Sequence, residues 1–146
     1  MATKSYSVER TIDASPQRVW ELLADADGYP RWNPAVVSLS GRIADGETIK
    51  LVSTVNAGRT FSLAVSNVEP ANGMVWSDGM PLGLFRGVRT FSLRSVAADR
   101  TEFSMQEQYS GLLSGLIIRA IPDLSESFAQ FADGLKRAAE SGAELT

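Results

Sequence analysis

From Ala35 to Ser110 the sequence keeps a hydrophobic period of two, interrupted at short intervals by turn residues. The runs cover residues 36–43, 47–55, 59–69, 74–78, 82–97 and 101–110. Asp45-Gly46, Asn56-Ala57-Gly58, Pro70-Ala71-Asn72-Gly73 and Ala98-Asp99 separate them at hairpin lengths. The pattern is that of a six-stranded antiparallel meander.

The flanks read differently. Residues 4–13 form a further strand, with Tyr6, Val8, Arg10 and Ile12 on one face. Ser15-Pro16 starts a helix, the serine capping and the proline at the first helical position, and Val19, Trp20, Leu22 and Leu23 supply its short apolar face. Asp27-Gly28-Tyr29-Pro30 and Asn33-Pro34 leave room for one more helical turn, around Tyr29–Trp32. After Gly111 and a short apolar segment, Pro122 or Asp123 opens a helix that runs to about Ser141, with Gly142 just past its end. Leu124, Phe128, Phe131, Leu135 and Ala138 make its apolar stripe, while Glu126, Gln130, Asp133, Lys136, Arg137 and Glu140 lie on other faces. The economical packing is an α+β fold: a curved antiparallel sheet of about seven strands grips the long C-terminal helix, with two short helices after the first strand. Such a sheet and helix cannot close on each other everywhere, so a cavity is expected between them.

The 146 residues make one domain, 1–146, without repeats, linkers or a shift in composition. Cysteine and histidine are both absent. That excludes disulfides, thiol nucleophiles, thiolate or imidazole metal sites and the Ser-His-Asp arrangement. Catalysis, if any, rests on Asp, Glu, Tyr, Lys or Arg, on an external cofactor, or on substrate positioning. Asp25, Asp27, Glu102, Asp123 and Glu126 are single carboxylates that form no metal-binding set, and neither a Walker pattern nor a dinucleotide fingerprint occurs, so no metal and no cofactor are expected. The net charge is −3 and the fourteen cations, only three of them lysines, are spread along the chain, which speaks against nucleic acid as a partner. No stretch approaches the ~20 apolar residues of a membrane span. The most apolar run, 112–121, is broken by Arg119, and the opening MATKSYSVER lacks the core of a secretory signal. The expectation is a cytoplasmic soluble protein, monomer or dimer.

Local stretches resemble the START-related helix-grip superfamily, in particular its polyketide cyclase/dehydrase-like (SRPBCC-type) branch. Ile12-Asp13-Ala14-Ser15-Pro16 leading to Val19-Trp20-Glu21-Leu22-Leu23 resembles that branch's first strand and helix, and Tyr29-Pro30-Arg31-Trp32-Asn33-Pro34 its second helix and exit turn. Val68-Glu69-Pro70, Trp76, Arg89-Thr90-Phe91, Tyr109-Ser110-Gly111-Leu112-Leu113 and Leu135-Lys136-Arg137 with Glu140 resemble later landmarks. The resemblance spans nearly the whole chain. It implies an apolar cavity for a lipid-, sterol- or polyketide-sized ligand, but no shared catalytic motif, because the superfamily hosts enzymes, carriers and regulators alike.

Trp32 and Trp76 either line such a cavity or belong to the ordinary core. The stripe on the last helix is mainly core, with Phe128 placed to reach the cavity. Strand parity adds a sharper feature. In residues 82–97 Phe85, Phe91 and Leu93 share a face with Gly87 and Arg89, and in 101–110 Phe103, Met105 and Tyr109 share a face with Glu107. Residues whose numbers sum to about 196 pair across that hairpin, which sets Arg89 opposite Glu107. The two charges then meet inside an apolar room; a one-residue bulge would instead turn both outward.

The candidate lining set is Trp32, Phe61, Leu63, Trp76, Phe85, Arg89, Phe91, Met105, Glu107, Tyr109 and Phe128. The leading expectation is a protein that binds, transports or sequesters a hydrophobic small molecule. One alternative is a cofactor-free cyclase, aromatase or dehydratase, in which Arg89 stabilises an enolate and Glu107 or Tyr109 moves the proton. Another is a protein-interaction module of the co-chaperone type with a vestigial cavity.

Overall fold

The computed structural model describes residues 4–80, 82–120 and 123–141. Seven strands, β1 (Lys4–Ile12), β2 (Val36–Ser40), β3 (Thr48–Ser53), β4 (Phe61–Glu69), β5 (Gly73–Met80), β6 (Phe85–Ala97) and β7 (Arg100–Ser110), form one antiparallel sheet in the order β1-β7-β6-β5-β4-β3-β2. Consecutive strands from β2 to β7 are neighbours, and β1 closes the far edge against β7. Helices α1 (Pro16–Ala24) and α2 (Tyr29–Trp32) follow β1, α3 (Ser114–Ala120) follows β7, and α4 (Ser125–Glu140) lies against the sheet.

Local chemistry explains the helix starts. Ser15 Oγ accepts from the Arg18 amide at 3.2 Å, ahead of Pro16 in the first turn of α1. The Asp123 carboxylate accepts from the Ser125 amide at 2.9 Å, so α4 starts at Ser125, two residues later than Asp123; Pro122 lies outside the described residues, as does Gly142. Tyr29 donates its hydroxyl to the Leu23 carbonyl at 2.6 Å and ties α2 back to α1.

Leu124, Phe128, Phe131, Ala132, Leu135 and Ala139 of the last helical segment are buried against the sheet, so Ala139 replaces Ala138, which is half-buried, at the end of the stripe. Phe131 anchors the packing, with ring centroids 5.9 Å from Tyr29, 5.4 Å from Trp32, 5.8 Å from Phe91 and 6.3 Å from Phe103. Polar contacts fasten the other side of α4 to β1: Arg10 Nε to Asp133 Oδ1 at 2.7 Å, Lys136 Nζ to the Thr11 carbonyl at 2.7 Å, and the Asp13 amide to Glu140 Oε2 at 2.9 Å.

Several segments depart from the sequence reading: β2 ends at Ser40 instead of residue 43, and residues 54–56, expected as the end of a strand and the start of its turn, form a 3-10 turn. Residues 114–120, read as a short apolar segment, form α3. Strand β6 starts at Phe85, not at Leu82, because Leu82 (φ 63°) and Gly83 (φ 71°) take left-handed backbone and make a turn. No helix among the described residues is long and apolar enough to cross a membrane.

Candidate functional site

A cavity of about 860 Å³ opens between the concave face of the sheet and α4. Phe61, Leu63, Trp76 and Phe85 line it from the strands, and Ile117, Leu124 and Phe131 line it from the helical side. Trp76 is held in place by rings on both flanks, with centroids 4.6 Å from Phe91 and 5.9 Å from Tyr29.

Charged groups interrupt this apolar wall. Arg89 and Glu107 stand opposite each other in the β6–β7 register, and Arg89 Nε donates to Glu107 Oε1 at 2.7 Å. Their side chains are only 17% and 14% exposed. The Arg89 guanidinium also lies 4.8 Å from the centre of the Phe128 ring, so an aromatic face supports its far side. Tyr109 donates its hydroxyl to the other Glu107 oxygen, and its ring stacks on Phe85 at 5.7 Å. Burial, then the Glu107 charge and the bond to Glu107, push the Tyr109 phenol far above its ordinary range. Its hydroxyl is the hydrogen-bond donor to Glu107. Glu107 accepts from a guanidinium on one oxygen and from a phenol on the other.

Asp78 completes the set. It shares a face of β5 with Met74 and Trp76 and lines the cavity opposite Gly87. Burial, followed by the negative charge of Glu107, raises its carboxyl above the ordinary value of 3.8, while Arg89 and Arg59 oppose the shift. Among the described residues no three carboxylates come together as a metal set would require.

The sequence matches the family described as polyketide cyclase/dehydrase and lipid transport over residues 3–140. The chain belongs to that family. No curated protein matches the sequence. Among solved structures, the Zhui aromatase/cyclase from Streptomyces sp. R1128 is similar at a TM-score of 0.76 and 16% identity, covering 97% of this chain and 96% of that one. Norcoclaurine synthase from Thalictrum flavum, solved with a transition-state analogue, gives a TM-score of 0.72 at 15% identity, with 97% of each chain covered. Ara h 8.0201 gives 0.62 at 14% identity, covering 96% of this chain and 99% of that one. These likenesses are of fold: the curved seven-stranded sheet around a long C-terminal helix is the helix-grip architecture.

In this polyketide cyclase/dehydrase-like domain the cavity brings together seven of the residues singled out in the sequence: Phe61, Leu63, Trp76, Phe85, Arg89, Glu107 and Tyr109. Phe91 and Met105 are each 1% exposed and form the layer behind the wall. Phe128, expected to reach the cavity, instead packs between Arg89 and Tyr6, and Phe131 reaches it. The rotation of α4 about its axis decides between them, and residue spacing does not report that rotation. Trp32 is set apart as well. It edges a separate depression of about 990 Å³ on the outer side, between α1, α2 and α4, where Arg18, Glu21, Asp25, Arg31 and Arg137 give charged rims. The inner cavity has the enclosing sheet and the aromatic walls that a small apolar ligand needs, and the outer one does not.

Sequence reasoning missed Asp78, although the parity that placed Arg89 inside also places Asp78 there, two residues beyond Trp76. Its raised value has a consequence for stability. The folded-state value lies above the unfolded one, so ionised Asp78 costs stability at neutral pH. That cost disappears as pH falls through the raised value toward 3.8. Asp78→Asn is therefore expected to raise the urea midpoint at pH 7, and its advantage over the parent to shrink on acidification. An unchanged midpoint at both pH values would mean that the carboxylate is fully solvated.

Proposed function

We propose that this domain binds a hydrophobic, ring-bearing small molecule, of lipid, sterol or polyketide size, between the sheet and α4, as a soluble cytoplasmic carrier or sequestering protein. The observation that carries the reading is a cavity of about 860 Å³ walled by Phe61, Trp76, Phe85 and Phe131. A ligand that hides roughly 250 Å² of apolar surface there gains about 6 kcal/mol, from which association costs are subtracted. An apolar fluorescent dye is expected to bind the purified domain and to be displaced by fatty acids, sterols or polycyclic aromatics, with native mass spectrometry reporting what co-purifies. A folded sample that binds neither dye nor competitors would remove the reading. An open volume of this size lends no support to a vestigial cavity of the co-chaperone type.

A second reading, cofactor-free cyclisation, aromatisation or dehydration, is favoured by the Arg89–Glu107–Tyr109 cluster on the cavity wall. Arg89 would stabilise an enolate oxygen and Glu107 would carry the proton. Domain-dependent exchange of the α-protons of a bound diketone, followed by NMR and lost in Arg89→Met, separates catalysis from carriage.

A further inference from the structure

Four charged side chains line the cavity, Arg59, Asp78, Arg89 and Glu107, and they are not evenly paired. Arg89 and Glu107 neutralise each other across 2.7 Å, and the second Glu107 oxygen accepts from Tyr109. Arg59, just before β4, is exposed at the rim with its guanidinium 4.7 Å from the Phe61 ring. Asp78 is left over, a half-buried carboxylate on the wall with neither a hydrogen bond nor a salt bridge among the described residues.

Its position is prepared by the strand beside it. Gly87 stands directly opposite Asp78 in the β5–β6 register. A Cβ at Gly87 would lie 2.9 Å from Asp78 Oδ1 and 3.2 Å from the Tyr109 ring. The missing side chain leaves a notch in which the carboxylate rests, beside an aromatic face and within the cavity. A charge withdrawn from water persists when it is paired or when it serves a ligand, and among the described residues Asp78 has neither a hydrogen bond nor an ion pair.

On the reading that the cavity is a ligand site, we propose that Asp78 selects the ligand and that the ligand is a ring-bearing amine, its ammonium paired with the Asp78 carboxylate. With Arg89 and Glu107 cancelling and Arg59 exposed at the rim, Asp78 is the charge on the inner wall without an ion-pair partner among the described residues, which an ammonium would pair with and a carboxylate would repel. The rings of Trp76, Phe61, Phe85 and Tyr109 around the space present faces that attract a cation and pack on a ring. Glu107 and Tyr109 on β7, Arg89 on β6 and Arg59 before β4 are the titratable and charged groups that act on Asp78. Glu107 raises its carboxyl and the two arginines lower it, with burial the largest influence.

The test uses the intact domain and one isosteric series: naphthalene, 2-naphthylmethanol, 2-naphthylmethylamine and 2-naphthoate, titrated by calorimetry at neutral pH. The amine is expected to bind roughly tenfold or more tightly than the alcohol, as a charge-assisted hydrogen bond provides, with the acid weakest. In Asp78→Asn, which keeps the shape of the side chain, the amine's advantage over the alcohol disappears. Gly87→Ala, which fills the notch and displaces the carboxylate, erodes the amine's advantage in the same direction. The amine's affinity in the parent domain also rises with pH as Asp78 ionises, and the Asn variant shows no such rise. Equal binding of amine and alcohol by the parent domain overturns the proposal, as does an advantage for the amine that survives Asp78→Asn. If naphthalene and the whole series fail to bind, the cavity is no ligand site, and the reading under it falls as well.

Discussion

Gly134→Ala is expected to destabilise the fold by about 3 kcal/mol, although alanine is the better helix former by about 1 kcal/mol. Gly134 is buried midway along α4, where a Cβ would sit 2.1 Å from the Trp32 carbonyl oxygen and 3.2 Å from its carbonyl carbon. Those atoms are backbone and cannot rotate away. They are also pinned, because the Asn33 amide donates to the Tyr29 carbonyl at 2.8 Å and the Ala35 amide to Asn33 Oδ1 at 2.9 Å. The helix must therefore lift from α2, and it takes Phe131 out of contact with Tyr29 and Trp32 as it goes. Urea midpoints of parent and variant measure the loss. A variant as stable as the parent would mean that α4 does not approach this closely.

The Arg89–Glu107 pair is expected to show strong coupling. Arg89→Ala leaves a mostly buried carboxylate facing Asp78, and Glu107→Ala leaves a mostly buried guanidinium on the Phe128 ring. Each single change is expected to cost about 3 kcal/mol, at the low end for breaking a buried pair because some water reaches both groups. The double variant is expected to lose clearly less than the two singles summed, since no charge is then stranded. Four urea midpoints decide it, and strict additivity would mean that the pair contributes nothing as a pair.

That pair was legible because strand parity and a hairpin sum need no knowledge of the rest of the molecule. Once Ala98-Asp99 is the turn, the partner of Arg89 follows by counting, and the register holds from Arg86–Ser110 to Ser95–Thr101 before it shifts near Ala97. The same local rules exposed the first helix through Ser15-Pro16 and the buried stripe of the last. They failed where the answer lies between elements. Helix α3 contains Gly115 and the β-branched pair Ile117-Ile118, poor helix formers without a polar face to mark a period. The exchange of Phe128 for Phe131 depends on how α4 is turned against the sheet. Asp78 was overlooked because a carboxylate at a strand end reads as a turn residue until Gly87 is known to face it.

The central claim is that a ring-bearing ligand enters between sheet and helix, and an amide NMR titration with a neutral polycyclic aromatic tests it most directly. The account predicts shifts concentrated at Leu63, Trp76, Gly87, Arg89, Tyr109 and Phe131, saturating together with one affinity. Shifts confined to the outer depression around Arg18, Arg31 and Arg137, or no saturable shifts in a folded sample, would contradict it.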